Sequence, residues 1–139
     1  MAVRNHNLET IAPVLASFKI SQTVSVDDLK DVNIGDPVEV TGNSEVGPLS
    51  VDGQLLGKLI ALTLTDSDDG QRVATVQVGG VCKLSISSTY PVVGNRVVGG
   101  TAGTVKQAPI VASDPAGGNV SRGTVIDVNG TSDCLVLLN

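Results

Sequence analysis

Short valine-rich runs that alternate with glycine-containing turns extend over most of the chain. The sequence has 16 glycines, and its apolar residues are mostly Val, Leu, Ile and Ala, with one Phe, one Tyr and no Trp. β-Branched side chains favour strands, whereas glycines occur in tight turns and bulges. The pattern therefore predicts an all-β domain, in the form of a small β-barrel or a sandwich.

Length and charge limit the classes of partner. Folding a chain of 139 residues buries roughly two-thirds of its surface, which supports a core without disulfides or metals. The net charge is −5 and the pI is about 4.6, so an acidic surface would repel nucleic acid.

No apolar run approaches the roughly 20 residues of a membrane-spanning helix. Glu9 and Pro13 interrupt the short apolar stretch near the start, which is not a convincing signal peptide. We therefore expect folding in a cytoplasm, no nucleic-acid or membrane partner, and reduced, buried Cys82 and Cys134.

The first 20 residues differ from the rest of the chain. They contain the only His, His6, and their apolar residues follow neither a period of 2 nor one of 3.6. We predict an extended N-terminal arm over residues 1–20 and a single β domain over residues 21–139. An ordinary first strand or short helix docked on its own domain remains an open alternative. Residues 25–31 have a Ser at the start and two early carboxylates, which predicts one short helical turn.

Beyond residue 35 the sequence predicts strands joined by tight turns. The strands are expected at residues 37–41, 57–65, 72–78, 81–86, 123–128 and 134–138, with a bend at the glycine pair between the third and fourth. Asp-Gly and Asn-Gly pairs favour the turns of β-hairpins. The predicted turn and scaffold residues are Gly35, Asp36, Pro37, Asp69, Gly70, Gly94, Asn95, Asn129 and Gly130.

One short pattern occurs twice. Residues 34–38 and 93–97 both have an apolar residue, Gly, Asx, any residue and Val. Each copy predicts a tight turn that leads into a strand. Two copies do not indicate a repeat architecture.

No pattern in the sequence predicts a catalytic or cofactor site. A catalytic triad would have to use His6, which lies in the predicted arm. The acidic run at residues 66–70 resembles the start of a calcium loop, but Gln77 stands where the bidentate Glu is needed. Residues 53–58 are one residue short of a phosphate loop and are followed by a predicted strand. We expect no enzymatic activity, no cofactor, no metal and no small-molecule substrate, and a function that depends on the protein surface.

Three stretches, taken in order, resemble the capsid decoration (cement) proteins of tailed bacteriophages. The shared order is a Gly-Asp-x-Val turn, a strand, a valine-rich return strand, a second Gly-Asx-x-Val turn and a C-terminal strand. The resemblance covers residues 32–139 and is carried by residues 32–38, 57–65 with 73–84, and 91–97 with 103–105, 123–128 and 135–139. Asn95 stands where the family more usually has Asp, and residues 43–54 look like an insertion.

The resemblance implies a compact β-barrel or β-tulip-like domain without enzymatic activity. It also implies a homo-oligomer, usually a trimer, bound to the major capsid protein on the outer surface of the virion, after assembly in the host cytoplasm. We expect the arm to contact the capsid, and strand addition to the major capsid protein is one way to form this contact. Deletion of residues 1–20 would then leave a folded oligomer that no longer binds. The residues proposed for this contact are Val3, Leu8, Ile11, Val14, Leu15 and Phe18.

Three other functions remain open from the sequence. The chain could be a different virion part, such as a tail-tube, head-fibre or spike-base β domain. It could be a small carbohydrate-binding module, although the scarcity of aromatic residues disfavours sugar stacking. An enzyme would require His6 to lie in a pocket.

Overall fold

A computed structural model describes residues 13–20, 33–62, 73–109 and 122–138. Within these ranges the chain forms nine β-strands and no helix, which confirms the predicted all-β class. The helical turn predicted at residues 25–31 lies outside the described residues. The strands are β1 (Val14–Ile20), β2 (Pro37–Gly42), β3 (Glu45–Pro48), β4 (Gly57–Leu62), β5 (Val73–Ser85), β6 (Arg96–Gly99), β7 (Val105–Gln107), β8 (Arg122–Asn129) and β9 (Asp133–Leu138).

The first five strands close into a barrel, which we call barrel 1. The strand order is β1-β3-β2-β4-β5, and pairing of β1 with β5 closes the ring. β1 runs parallel to β3 and antiparallel to β5. Inward-facing side chains from all five strands form the core of barrel 1, which confirms the barrel form of the prediction. This core contains Ile20, Val38, Val46, Leu59, Ala74 and Val76.

A second ring, barrel 2, begins on the same strand. β5 is 13 residues long, and its second half pairs with β9. β9 pairs with β8, β8 with β6, and β6 with β7. A parallel bridge between Ile86 and Val105 then joins β7 to the residue that follows β5. The buried core of barrel 2 contains Leu49, Leu55, Cys82, Leu84, Ile86, Val97, Val105, Val125, Cys134, Val136 and Leu138.

The two barrels repeat one strand arrangement. The five strands of barrel 2, in chain order, are the second half of β5, β6, β7, β8 and β9. In each barrel the first strand is antiparallel to the fifth and contacts the third in parallel. The second strand pairs with both the third and the fourth. The fourth strand bulges at Ile60 in barrel 1 and at Ile126 in barrel 2. The short sequence echo therefore marks an internal duplication, although two copies of so short a pattern were too few to indicate it. Corresponding core pairs are Ile20 and Ile86, Val38 and Val97, Val46 and Val105, Leu59 and Val125, and Val76 and Val136.

Strand β1 corrects the predicted boundary between arm and domain. Ile20 is 2% exposed and lies in the core of barrel 1, and β1 is the strand that closes this barrel. Residues 14–20 therefore belong to the β domain, whereas residues 1–12 lie outside the described residues. The interpretation of residues 43–54 as an insertion relative to the family stays a prediction; within this segment Glu45–Pro48 forms strand β3, which pairs on both sides.

The loop between β3 and β4 closes one end of barrel 2. Its residues Leu49 and Leu55 are buried in the barrel 2 core. The Asp52 N–H donates to the Gly99 carbonyl, and the Gly99 N–H donates to the Gly53 carbonyl, at 2.9 and 3.0 Å. This close approach requires glycine at position 99, because a Cβ there would overlap the Ser50 carbonyl oxygen. Residues of the first repeat thus complete the core of the second.

Two truncations distinguish the predicted arm from the barrel. Deletion of residues 1–20 removes β1 together with the buried side chain of Ile20, so barrel 1 opens and the protein should lose its cooperative thermal transition. Deletion of residues 1–12 keeps every described strand and should retain that transition. Circular dichroism melting of both truncations measures the difference. A cooperative transition of wild-type midpoint after deletion of residues 1–20 would contradict the role of β1.

Substitution of Gly99 tests the contact between the β3–β4 loop and barrel 2. Gly99→Ala should lower the free energy of unfolding by about 1–3 kcal/mol, because the loop backbone must move out of the overlap. Gly42→Ala is the matched control, since a Cβ at Gly42 would approach only the flexible Glu45 side chain. Urea denaturation measures both variants. Equal stability of the two variants would contradict the tight contact.

Candidate binding surface

Among the open recesses of the described surface, three are candidate ligand sites. The largest of these three has a volume of about 450 Å³, and a mainly polar one has about 380 Å³. Among the described residues, no three His, Cys, Asp or Glu side chains are grouped closely enough to hold a metal ion. The largest recess is lined by Glu39, Val40, Gln54, Leu55, Leu56, Val78 and Arg122.

The two charged side chains of the largest recess, Glu39 and Arg122, form hydrogen bonds with other parts of the protein. Both carboxylate oxygens of Glu39 accept hydrogen bonds from Ser50, one from its N–H at 3.2 Å and one from its hydroxyl at 3.1 Å. The Arg122 guanidinium donates to the carbonyls of Leu56 and Val78. Because Arg122 is on a barrel 2 strand and both carbonyls belong to the first repeat, this side chain links the barrels. The recess therefore has a structural explanation and no ligand is needed to account for it.

The two remaining recesses are balanced in charge. The recess of about 380 Å³ is lined by Lys58 and Lys83 and by the carboxylates of Asp36 and Asp133, so it favours neither anions nor cations. In the third, of about 320 Å³, the only charged lining residue is Lys106, which forms an ion pair with Asp52 at 2.8 Å. Neither recess combines a free charge with an apolar wall, as small-molecule sites commonly do.

The predicted contact residues of the arm separate into three groups. Val3, Leu8 and Ile11 lie outside the described residues. Val14 and Leu15 lie on β1 and are 55% and 53% exposed. Phe18 is instead half-buried and packs against the core of barrel 1, because it faces inward beside Ala74. Of the described members, only Val14 and Leu15 are exposed to a partner.

Val14 and Leu15 belong to an apolar surface at the junction of the two barrels. β1 pairs Val14 with Gly79 and Leu15 with Gln77, and β9 pairs Leu137 with Val81. Directly opposite residues of antiparallel strands project to the same side, so the three exposed side chains lie along residues 77–81 of β5. We call Val14, Leu15 and Leu137 the waist patch.

Gln77 cross-links the backbone of β5 beneath the waist patch by hydrogen bonds. Its side chain is 6% exposed, and its Nε2 donates to the carbonyls of Gly79 and Val81 at 3.1 and 3.0 Å. These bonds span the bend of β5 at Gly80, where φ is +87°. A rigid apolar surface loses little conformational entropy when a partner binds.

Leu137 is the member of the waist patch that was not predicted as a contact residue. Leu137 is 39% exposed, although residues 134–138 are apolar at every position. Such a run does not show which face is buried. The register of β9 against β5 therefore carries information that the sequence pattern lacks.

The turns before β2 and β6 are the second feature shared by both barrels. The Asp36 N–H donates to the Asn33 carbonyl at 2.9 Å, and the Asn33 N–H donates to Asp36 Oδ2 at 3.1 Å. In barrel 2, the Asn95 N–H donates to the Val92 carbonyl at 3.0 Å, and the Val92 N–H donates to Asn95 Oδ1 at 2.8 Å. The two Asx residues thus have the same function in their turns.

The other predicted turn residues are placed as follows. Gly35 and Gly94 have φ of +102° and +93°, as the third position of a type II turn requires. Pro37 is the first residue of β2. Asn129 ends β8, and Gly130 follows it in the turn to β9. Asp69 and Gly70 lie outside the described residues.

Comparison of the chain with protein-family models, with curated proteins and with solved structures gives no significant match. Within the described ranges, no helix is long and apolar enough to cross a membrane.

The matching hydrogen bonds of the two turns predict that Asn can replace Asp at position 36. Asp36→Asn should change the free energy of unfolding by less than about 0.5 kcal/mol, because an amide oxygen accepts the same bond in barrel 2. Asp36→Ala and Asn95→Ala should each cost about 0.5–1.5 kcal/mol, the usual contribution of one hydrogen bond. Urea denaturation of the three variants measures these values. An Asn95→Ala protein as stable as the wild type would show that the side-chain bond contributes nothing.

Proposed function

We propose that this chain is a capsid decoration protein of a tailed bacteriophage. It binds the outer surface of the expanded capsid as a homo-oligomer, most simply a trimer, and stabilises contacts between subunits of the major capsid protein. The exposed waist patch at the junction of the two barrels is the observation that carries the proposal. The order of motifs over residues 32–139 supports the same family, and so does the all-β barrel architecture.

The physical requirement of a decoration protein agrees with this architecture. Packaged DNA pushes capsid subunits apart from within, and a protein that binds only the expanded shell stabilises that state by mass action. The shell presents many copies of one surface, so several modest contacts in an oligomer combine into strong binding. A rigid scaffold keeps these contacts in fixed positions. A reactive site is not required.

The waist patch provides apolar area for such a contact. Val14, Leu15 and Leu137 each expose more than a third of their surface, although they lie on paired strands of the barrel wall. Complete burial of one such side chain contributes about 1.5–3 kcal/mol, so covering the exposed part of each contributes roughly 1 kcal/mol. The patch contacts either the capsid protein or a neighbouring copy in the oligomer. In the proposed function, an oligomer bound to the capsid requires both kinds of contact.

Co-sedimentation with undecorated heads tests the proposal. The protein should pellet with expanded heads of the phage that encodes it and should not pellet with unexpanded heads. The double substitution Leu15→Thr with Leu137→Thr should weaken binding at least tenfold, because it removes roughly 2 kcal/mol of apolar contact. Thr retains the preference of these positions for strand.

Val51→Thr is the matched control, because Val51 is 61% exposed but lies outside the waist patch. It should bind heads as the wild type does. Light scattering of each variant without heads shows whether the patch also maintains the oligomer. A wild-type protein that ignores expanded heads would overturn the proposal, and assembly into long tubes would favour a tail component instead.

A further inference from the structure

Barrel 1 has its own version of the surface that the β3–β4 loop covers on barrel 2. Val38 and Val97 are corresponding core residues, and two positions later Val40 corresponds to Gly99. Gly99 is buried, because the β3–β4 loop pairs with its N–H and its carbonyl. Val40 is 59% exposed and lines the largest recess. Among the described residues, the same position is thus covered in one barrel and open in the other.

The strand that borders this surface differs between the barrels in the same way. Leu138 is 6% exposed and belongs to the core of barrel 2, together with Leu49 and Leu55 of the β3–β4 loop. Its counterpart in barrel 1 is Val78, which is only half-buried and lines the largest recess. In barrel 2 the covering segment is the connection between the third and fourth strands of the other barrel. The equivalent connection of barrel 2 is therefore the candidate for covering barrel 1.

This equivalent connection ends at the largest recess. It joins β7 at Gln107 to β8 at Arg122, and residues 110–121 of it lie outside the described residues. The Arg122 guanidinium lines the recess and donates to two carbonyls of the first repeat. One extended residue spans about 3.4 Å, so Val120 lies within about 7 Å of the Arg122 backbone. An apolar residue of this segment is therefore within reach of the recess.

We propose that the largest recess is the docking site for residues 110–121 of the same chain. Val120 packs against the apolar wall of the recess, which is formed by Val40, Leu56 and Val78. The occupant is assigned to the same chain because Arg122, the residue that follows the segment, already lies in the recess. Each barrel is then covered by the connection between the third and fourth strands of the other. This inference does not depend on the proposed function.

Photo-crosslinking tests the identity of the occupant. p-Benzoylphenylalanine is introduced at Val40 in one protein and at Ile34 in a second as control, because Ile34 is 64% exposed on barrel 1 but does not line this recess. Peptide mapping should show that position 40 crosslinks to residues 110–121 and that position 34 does not. The experiment uses a mixture of isotopically light and heavy protein, so that a crosslink between two copies is recognised by its mass. Crosslinks from position 40 only to a second copy, or none to this segment, would overturn the inference.

Serine substitutions test whether Val120 makes the contact. Val120→Ser should lower the midpoint of urea denaturation by about 0.5 M, because it removes apolar area from the recess. Ala116→Ser is the matched control in the same segment and should leave the midpoint unchanged. The double variant Val40→Ser with Val120→Ser should lose less than the sum of the two single losses, because both changes remove one contact. Strictly additive losses, or a Val120→Ser protein with the wild-type midpoint, would contradict the docking.

Discussion

Strand β5 is the element on which the rest of the molecule depends. Its first half completes barrel 1 and its second half begins barrel 2, so neither ring closes without it. The bend between the halves is held by Gln77, whose amide donates to carbonyls on the far side of the two glycines. The loop that contains Leu49 and Leu55 adds a second connection, because it fills the core of the other barrel. The barrels therefore form one folding unit.

This construction explains how a chain poor in aromatic residues forms a rigid surface. Each core is filled by small aliphatic side chains from five strands, and almost every strand pairs on both sides. Closed rings leave few free strand edges, so uncontrolled pairing with other chains is limited. Val14, Leu15 and Leu137 of the waist patch are among the side chains that project outward from this scaffold. Because β5 belongs to both barrels, the outward side chains of the two barrels are carried by one continuous sheet.

Parts of this architecture could be predicted from the sequence. The hairpin of β8 and β9 follows from its Asn-Gly turn, and the return strand with its glycine bend became β5. Strand β3 was missed because it has four residues, of which two are Gly47 and Pro48, and both residues usually indicate a turn. Strand β1 was only an open alternative, because its first two residues, Val14 and Leu15, are both apolar and both exposed, which interrupts the alternation.

The sequence by itself determined the all-β class, the turn residues and the apolar residues available for the cores. These follow from local preferences, since valine favours strands and Gly-Asx pairs favour particular turns whatever surrounds them. Only the tertiary structure decided that the chain is a duplicated barrel, that Phe18 faces the core of barrel 1 and that Leu15 is exposed. These depend on strand register, which sets the side of the sheet for every side chain and is fixed by partners distant in sequence.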